Sequence, residues 1–162
     1  MAAGDSHTPA RTDLALVRES DRGTLAEPTW SGVTSFMRRR YRKALDGVDV
    51  AVVGMPFDLA TTNRPGARFG PRAIRADAYD PGTYHLDLGI EMFDHLEVVD
   101  YGDAVTSHGM WELSKKAVYD RVNEVASRGI IPFIIGGDHS ITWPAATAAL
   151  SAPSVTPASL TE

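Results

Sequence analysis

Two stretches of this chain, residues 50–55 (Val-Ala-Val-Val-Gly-Met) and 130–135 (Ile-Ile-Pro-Phe-Ile-Ile), are apolar at odd and even positions alike. A strand built from such a run has no polar face to offer water. It must be covered on both sides, and parallel sheets flanked by helices are where that happens. Between the two runs lie a shorter strand, Leu96-Glu97-Val98-Val99-Asp100, and a stretch over 110–128. In that stretch Trp111, Ser114, Val118, Val122 and Val125 recur at helical spacing and Gly129 ends the pattern. Pro132 falls near the start of its strand, where a missing donor matters least.

The remaining punctuation predicts three more helices. One covers 71–78 with Pro71 in its first turn. One lies within 30–45, with Phe36, Tyr41 and Leu45 as its apolar face and Ser31 or Thr34 as its cap. One begins near Ser140, with Pro144 in its first turn. The alternation predicts an α/β domain: a parallel sheet of about three strands with right-handed connections and the 50–55 strand in the middle. If a neighbour on the far side of 130–135 is lacking, that strand has an open apolar edge prone to self-association.

The chain has 162 residues, 43% of them hydrophobic, enough for one core. We divide it into an arm at 1–28, an α/β body at 29–150 and a Ser/Thr/Pro-rich tail at 151–162. The balance of 16 Lys+Arg against 21 Asp+Glu argues against nucleic acid as a main partner, with Arg38, Arg39, Arg40, Arg42 and Lys43 as the one basic patch. The absence of cysteine excludes thiolate metal sites and a thiol nucleophile. No apolar run approaches the ~20 residues of a membrane helix, and the N-terminus lacks a secretory pattern, so no membrane contact and a cytoplasmic location are expected.

Sites in open parallel sheets sit beyond the carboxyl ends of the strands. Three stretches reach that edge. In Gly136-Gly137-Asp138-His139-Ser140 the glycines permit a tight turn, and His139 could meet a metal or a substrate, with Asp138 orienting the imidazole. Spacing alone favours a plain glycine turn with a surface histidine; an anion site at the next helix is a further reading, without a Walker-type Gly-Lys-Ser/Thr to support it. The loop from Asn63 to Arg75 carries Arg64, Arg68, Arg72 and Arg75. They form either a wall of a site or subunit contact, or a structural set that pairs carboxylates. Asp100 and Asp103 could hold a cation or a basic substrate, or cap turns. His108 is close to them in sequence, while His7, His85 and His95 lack context and are expected to be solvated.

Taken in order, Ser35-Phe36-Met37-Arg38, Pro56-Phe57-Asp58 with the Arg64–Arg75 loop, Asp100-Tyr101-Gly102-Asp103 and Gly136-Gly137-Asp138-His139-Ser140 resemble the ureohydrolase (arginase and agmatinase) family, in its agmatinase-like form. The resemblance implies the N-terminal part of an arginase-like three-layer fold. It also implies a manganese pair, a small guanidino substrate (agmatine favoured) hydrolysed to urea and an amine, and homo-oligomers for full-length members. His139 is then a manganese ligand. Asp138, Gly136, Gly137, Asn63, Arg64 and Arg68 line the site, and Asp100 and Asp103 are further candidates; no catalytic residue is assigned. Two metal motifs that members carry downstream, Asp-Ala-His-x-Asp and Ser-x-Asp-x-Asp-x-x-Asp-Pro, do not occur here. From Ser140 onward the only carboxylate side chain is Glu162, and no histidine occurs. The resemblance thus implies a partial chain, inactive alone. The rival reading is a non-catalytic fragment or interaction module.

Overall fold

A computed structural model describes residues 32–78 and 83–152. The arm at 1–28 and nearly all of the tail at 151–162 lie outside the described residues, as do Trp30, Ser31 and His7.

Strand β1 (Val50–Met55) lies between β4 (Val98–Asp103) and β5 (Ile131–Gly136), and both neighbours run parallel to it. The middle position follows from its sequence, since Ala51, Val52, Val53 and Met55 are fully buried. Helix α1 (Gly70–Asp77) follows β1, and α3 (Trp111–Ala126) connects β4 to β5. Ala51, Val53 and Met55 share one core with Val118, Val122 and Val125 of α3 and with Ala145 and Ala148 of α4 (Thr142–Ser151). Val52 and Gly54 turn to the other face, where Pro71 of α1 lies close against Gly54. Both faces of β1 are thereby covered, as a strand without a polar face requires. Pro144 sits in the first turn of α4, where its missing N–H breaks no helical bond. A short antiparallel pair, β2 (Tyr84–His85) with β3 (Ile90–Glu91), and a single turn, α2 (Met92–His95), fill the connection before β4; the sequence pattern does not show them.

The helix expected within 30–45 does not form. A single 3₁₀ turn, Phe36–Arg38, is followed by extended chain. The reason is tertiary. Asp100 donates its backbone N–H to Arg40 O at 2.8 Å, and Arg42 N–H donates to Asp100 O at 3.1 Å. Tyr41 thus bridges Asp100 in parallel along the outer flank of β4. The flank of β4 gains more from this pairing than an isolated short helix could give the segment. Arg38 and Arg39, read as part of a basic patch, are 4% and 2% exposed. The Arg39 guanidinium lies 3.9 Å over the Phe93 ring.

The two outer flanks of the sheet therefore differ. That of β4 is covered by the Tyr41 segment, whereas that of β5 has no strand beside it among the described residues. On β5, Ile131 N–H donates to Asp49 O of the β1 side at 2.9 Å. In a parallel ladder the backbone groups alternate between flanks, so Ile131, Phe133 and Ile135 face β1 and Pro132, Ile134 and Gly136 face outward. Pro132 costs the β1 ladder nothing, because its nitrogen points to the open side.

Candidate active site at the carboxyl edge of the sheet

The turn after β5 is built against the turn after β1. Gly137 takes φ 44, and a Cβ there would collide with the carbonyl oxygens of Met55 and Phe57. Only glycine lets the two strand ends approach this closely. Asp138 N–H donates to Phe57 O at 2.8 Å. The Asp138 carboxylate accepts from Ser140 N–H at 3.0 Å, from the Ser140 hydroxyl, and from Ala60 N–H at 2.8 Å in the β1 loop. Asp138 therefore caps the 3₁₀ turn His139–Ile141 and pins it to the neighbouring loop. It does not bond the imidazole. His139 is exposed, and its Nδ1 stands 3.2 Å from the Thr142 hydroxyl. The i,i+3 spacing of His139 and Thr142 at a helix start is the signal that could have revealed this pairing.

Two arginines of the loop, Arg68 and Arg75, each hold an ion-pair cluster. Asp58, 1% exposed, accepts from Gly66 N–H at 2.6 Å, Arg68 N–H at 3.2 Å and Arg68 Nε at 2.7 Å, and pairs with Arg68 Nη2 at 2.6 Å. The side-chain bond from Arg68, against some opposing burial and with help from the two backbone donors, holds the Asp58 carboxyl down at about 2. Arg75, from α1, donates Nε to Asp100 Oδ2 at 2.6 Å, Nη2 to Asp100 Oδ1 at 2.9 Å and Nη1 to Asp103 Oδ1 at 2.6 Å. Burial weakens its hold on the proton, but the bonds to Asp100 and Asp103 outweigh this and hold its pKa above the usual guanidinium value. Asp100, with no exposed surface, also accepts from Phe36 N–H and Gly102 N–H, each at 2.9 Å. Opposite β1, strand β4 carries one extra residue at Tyr101, and Gly102 takes φ 78 to restore the register.

Asn63 and Arg64 stand exposed on the loop crest, and Arg72 is exposed on α1. Arg68 also lines an open cleft of about 500 Å³ at the ends of β1 and β4, with Pro56, Phe69, Ala104, Val105, Thr106 and His108. His108 thus joins Arg68 at this cleft, rather than Asp100 and Asp103. His85 and His95 are exposed, as expected, and His85 Nδ1 accepts from Leu88 N–H at 3.3 Å.

A divalent pair needs several oxygen and imidazole donors converging on one place. Among the described residues no three His, Asp or Glu side chains do so. A carboxylate has about four lone-pair sites. Asp58 and Asp100 each take four protein donors and Asp138 takes three. Among the described residues His139 and His108 are the exposed imidazoles at this edge, and the His139 turn is the one braced by a carboxylate, Asp138. The described residues fit one metal ligand, and they do not fit a complete manganese site.

The fold and the edge define the class: an open, parallel α/β sheet that presents an imidazole turn at its carboxyl end. The chain belongs to the arginase family, whose family model matches residues 48–156. It is 40% identical over 134 residues to the agmatinase of Chromobacterium violaceum, covering 82% of this chain and 41% of that protein. It is 35% identical over 147 residues to the mitochondrial guanidino acid hydrolase of Homo sapiens, covering 88% and 42%. Among solved structures it resembles a hypothetical agmatinase from Burkholderia thailandensis, with a TM-score of 0.74 at 40% identity, covering 86% of this chain and 44% of that one. It also resembles the Trypanosoma cruzi formiminoglutamase crystallised with Mn2+ ions, with a TM-score of 0.61 at 27% identity, covering 72% and 39%. The chain spans about two fifths of the length of these two curated relatives. Among the described residues no helix is long and apolar enough to cross a membrane.

Proposed function

We propose that this chain supplies one wall of an amidinohydrolase site, in which water and a guanidino compound give urea and an amine. The observation that carries this reading is the His139 turn, delivered to the carboxyl edge by β5 and braced against the β1 loop by Asp138. His139 is one manganese ligand. Gly136, Gly137 and Asp138 set its turn, and Asn63, Arg64 and Arg68 lie on the neighbouring loop. Asp100 and Asp103 act from behind, by fixing Arg75 and with it α1. Agmatine is favoured as substrate, supported by the 40% identity to an agmatinase, with a guanidino acid as the competing substrate. A cytoplasmic location belongs to the same proposal.

A second reading, a non-catalytic fragment or interaction module, is favoured by the incomplete ligand set. A chimera separates the two. Residues 32–152 replace the matched stretch in the Chromobacterium violaceum agmatinase, and urea release from agmatine is measured with Mn2+. The expected result is activity that His139→Ala abolishes. A folded chimera without activity, or one indifferent to His139→Ala, would overturn the amidinohydrolase reading.

A further inference from the structure

The chain has three lysines, and the fold treats one of them differently. Lys115 and Lys116 on α3 pair with carboxylates of their own helix, Glu112 and Asp120. Lys43 has no ion-pair partner among the described residues. Its Nζ donates to the Tyr101 carbonyl oxygen and stands 4.6 Å from the centre of the Tyr101 ring and 5.2 Å from that of Tyr41. Lys43 thereby fastens the Tyr41 segment to β4 at its extra residue, where a Cβ on Gly102 would collide with both the Tyr41 hydroxyl and Lys43 Nζ. The other side of the cluster is open, since Lys43 is exposed and Tyr41 is 54% exposed. The carboxylates nearby are engaged elsewhere: Asp100 and Asp103 on β4 by Arg75, and Glu124 on α3 by Arg121 at 3.4 Å. The Arg121 guanidinium lies 5.0 Å over the same Tyr101 ring, a second cation beside the first. Partial burial, and after it Arg121, lower the pKa of Lys43; Asp100, Glu124 and Asp103 oppose this and are outweighed. An amine so placed is neutral in a larger fraction at a given pH, and only the neutral amine is a nucleophile.

We propose that Lys43 is a modification site, acylated by a small acyl phosphate, and that the acyl group loosens the Tyr41 segment from β4. The neutral Nζ attacks the acyl carbonyl carbon. A C–N bond forms, the C–O bond to phosphorus-bound oxygen breaks, inorganic phosphate leaves with the bonding pair, and the amine's proton passes to water. The Arg121 guanidinium beside the amine attracts a phosphate-bearing donor and favours it over an uncharged one. The product is a neutral amide. It keeps one N–H for the Tyr101 carbonyl and no charge for the two rings, so the cation–π part of the fastening is lost. The segment is then held to β4 chiefly by two backbone bonds, Arg42 N–H to Asp100 O and Asp100 N–H to Arg40 O. His139 and the cleft at Arg68 take no part, so the proposal stands apart from the amidinohydrolase reading.

The test incubates the 162-residue chain with acetyl phosphate and follows the acetyl occupancy of each lysine by peptide mass spectrometry, over a range of pH. Lys115 and Lys116 serve as controls within the same molecule. Near neutral pH Lys43 is expected to react about fivefold faster than either, or more. Its rate should also level off at a lower pH, and in denaturant the three lysines should react alike. Arg121→Gln should raise the pH at which the Lys43 rate levels off and leave Lys115 and Lys116 little changed. Amide hydrogen exchange reads the consequence. Acetylation of Lys43, or Lys43→Gln, should speed exchange at Arg42 and Asp100 about tenfold, whereas Lys43→Arg, which keeps the charge, should not. Equal rates at the three lysines of the folded chain, a Lys43 pH profile indifferent to Arg121→Gln, or an acetylated chain whose Arg42 and Asp100 amides exchange as before would each overturn the proposal.

Discussion

Asp58 shows how one carboxylate is committed by its donors. Its value of about 2 in the fold lies below the ordinary 3.8, chiefly through the Arg68 side chain. A depressed carboxyl contributes stability that is present above its unfolded value and lost as the pH falls through the folded one. The clasp between the β1 loop and Arg68 should therefore weaken between about pH 4 and pH 2. A carboxyl NMR titration should place Asp58 near the lower value, and Asp58→Asn should flatten that part of the acid-unfolding curve. A midpoint near 3.8 would show that the clasp does not form. Arg75 is the harsher case. Arg75→Ala leaves Asp100, with no exposed surface, without its ionic partner, and breaking such a buried pair costs about 3–5 kcal/mol. Denaturant unfolding that shows a loss under 1 kcal/mol would mean that water replaces the guanidinium. Arg68→Lys should also destabilise, since one ammonium cannot reproduce a fork that meets Asp58 through both Nε and Nη2.

At the scale of elements, legibility depended on where the information sits. β1 and the 3.6-residue pattern of α3 were readable because burial acts along the whole of a regular element. β5 was readable as a strand, but the expectation that it is covered on both faces does not hold among the described residues, where Ile131 and Phe133 are 39% and 47% exposed. The turn at 36–38 was not readable. Its apolar spacing fits a helix, but Asp100, more than sixty residues away, takes the Phe36 N–H and the flank of β4 takes the chain after it. Local propensity is worth only tenths of a kcal/mol per residue and gives way to such contacts. The alternation along β5 yields a direct check. In the chain alone, the outward amides of Ile134 and Gly136 should exchange at least tenfold faster than those of Phe133 and Ile135, which bond β1. Equal protection at all four would show that the flank is already covered.

For the whole molecule, the ligand count governs activity. With the carboxylates of Asp58, Asp100 and Asp138 already engaged and no three His, Asp or Glu side chains converging among the described residues, His139 should bind divalent metal weakly. Calorimetry of the 162-residue chain with Mn2+ should show no tight pair of sites, and urea release from agmatine should not exceed that of His139→Ala. Two tight sites per chain would mean that donors converge from outside the described residues. The sequence by itself determined the class of fold, the strand that sits in the middle, and the residue at the site edge. Hydrophobic pattern and glycine turns are local properties, and they leave a local trace. Tertiary structure alone decided that Arg75 gathers Asp100 and Asp103, that Asp138 braces the β1 loop instead of the imidazole, and that one flank of the sheet is covered while the other has no strand beside it among the described residues. Each of these depends on which distant atoms meet, and charge pairing in a buried place follows proximity in space, which spacing along the chain does not encode.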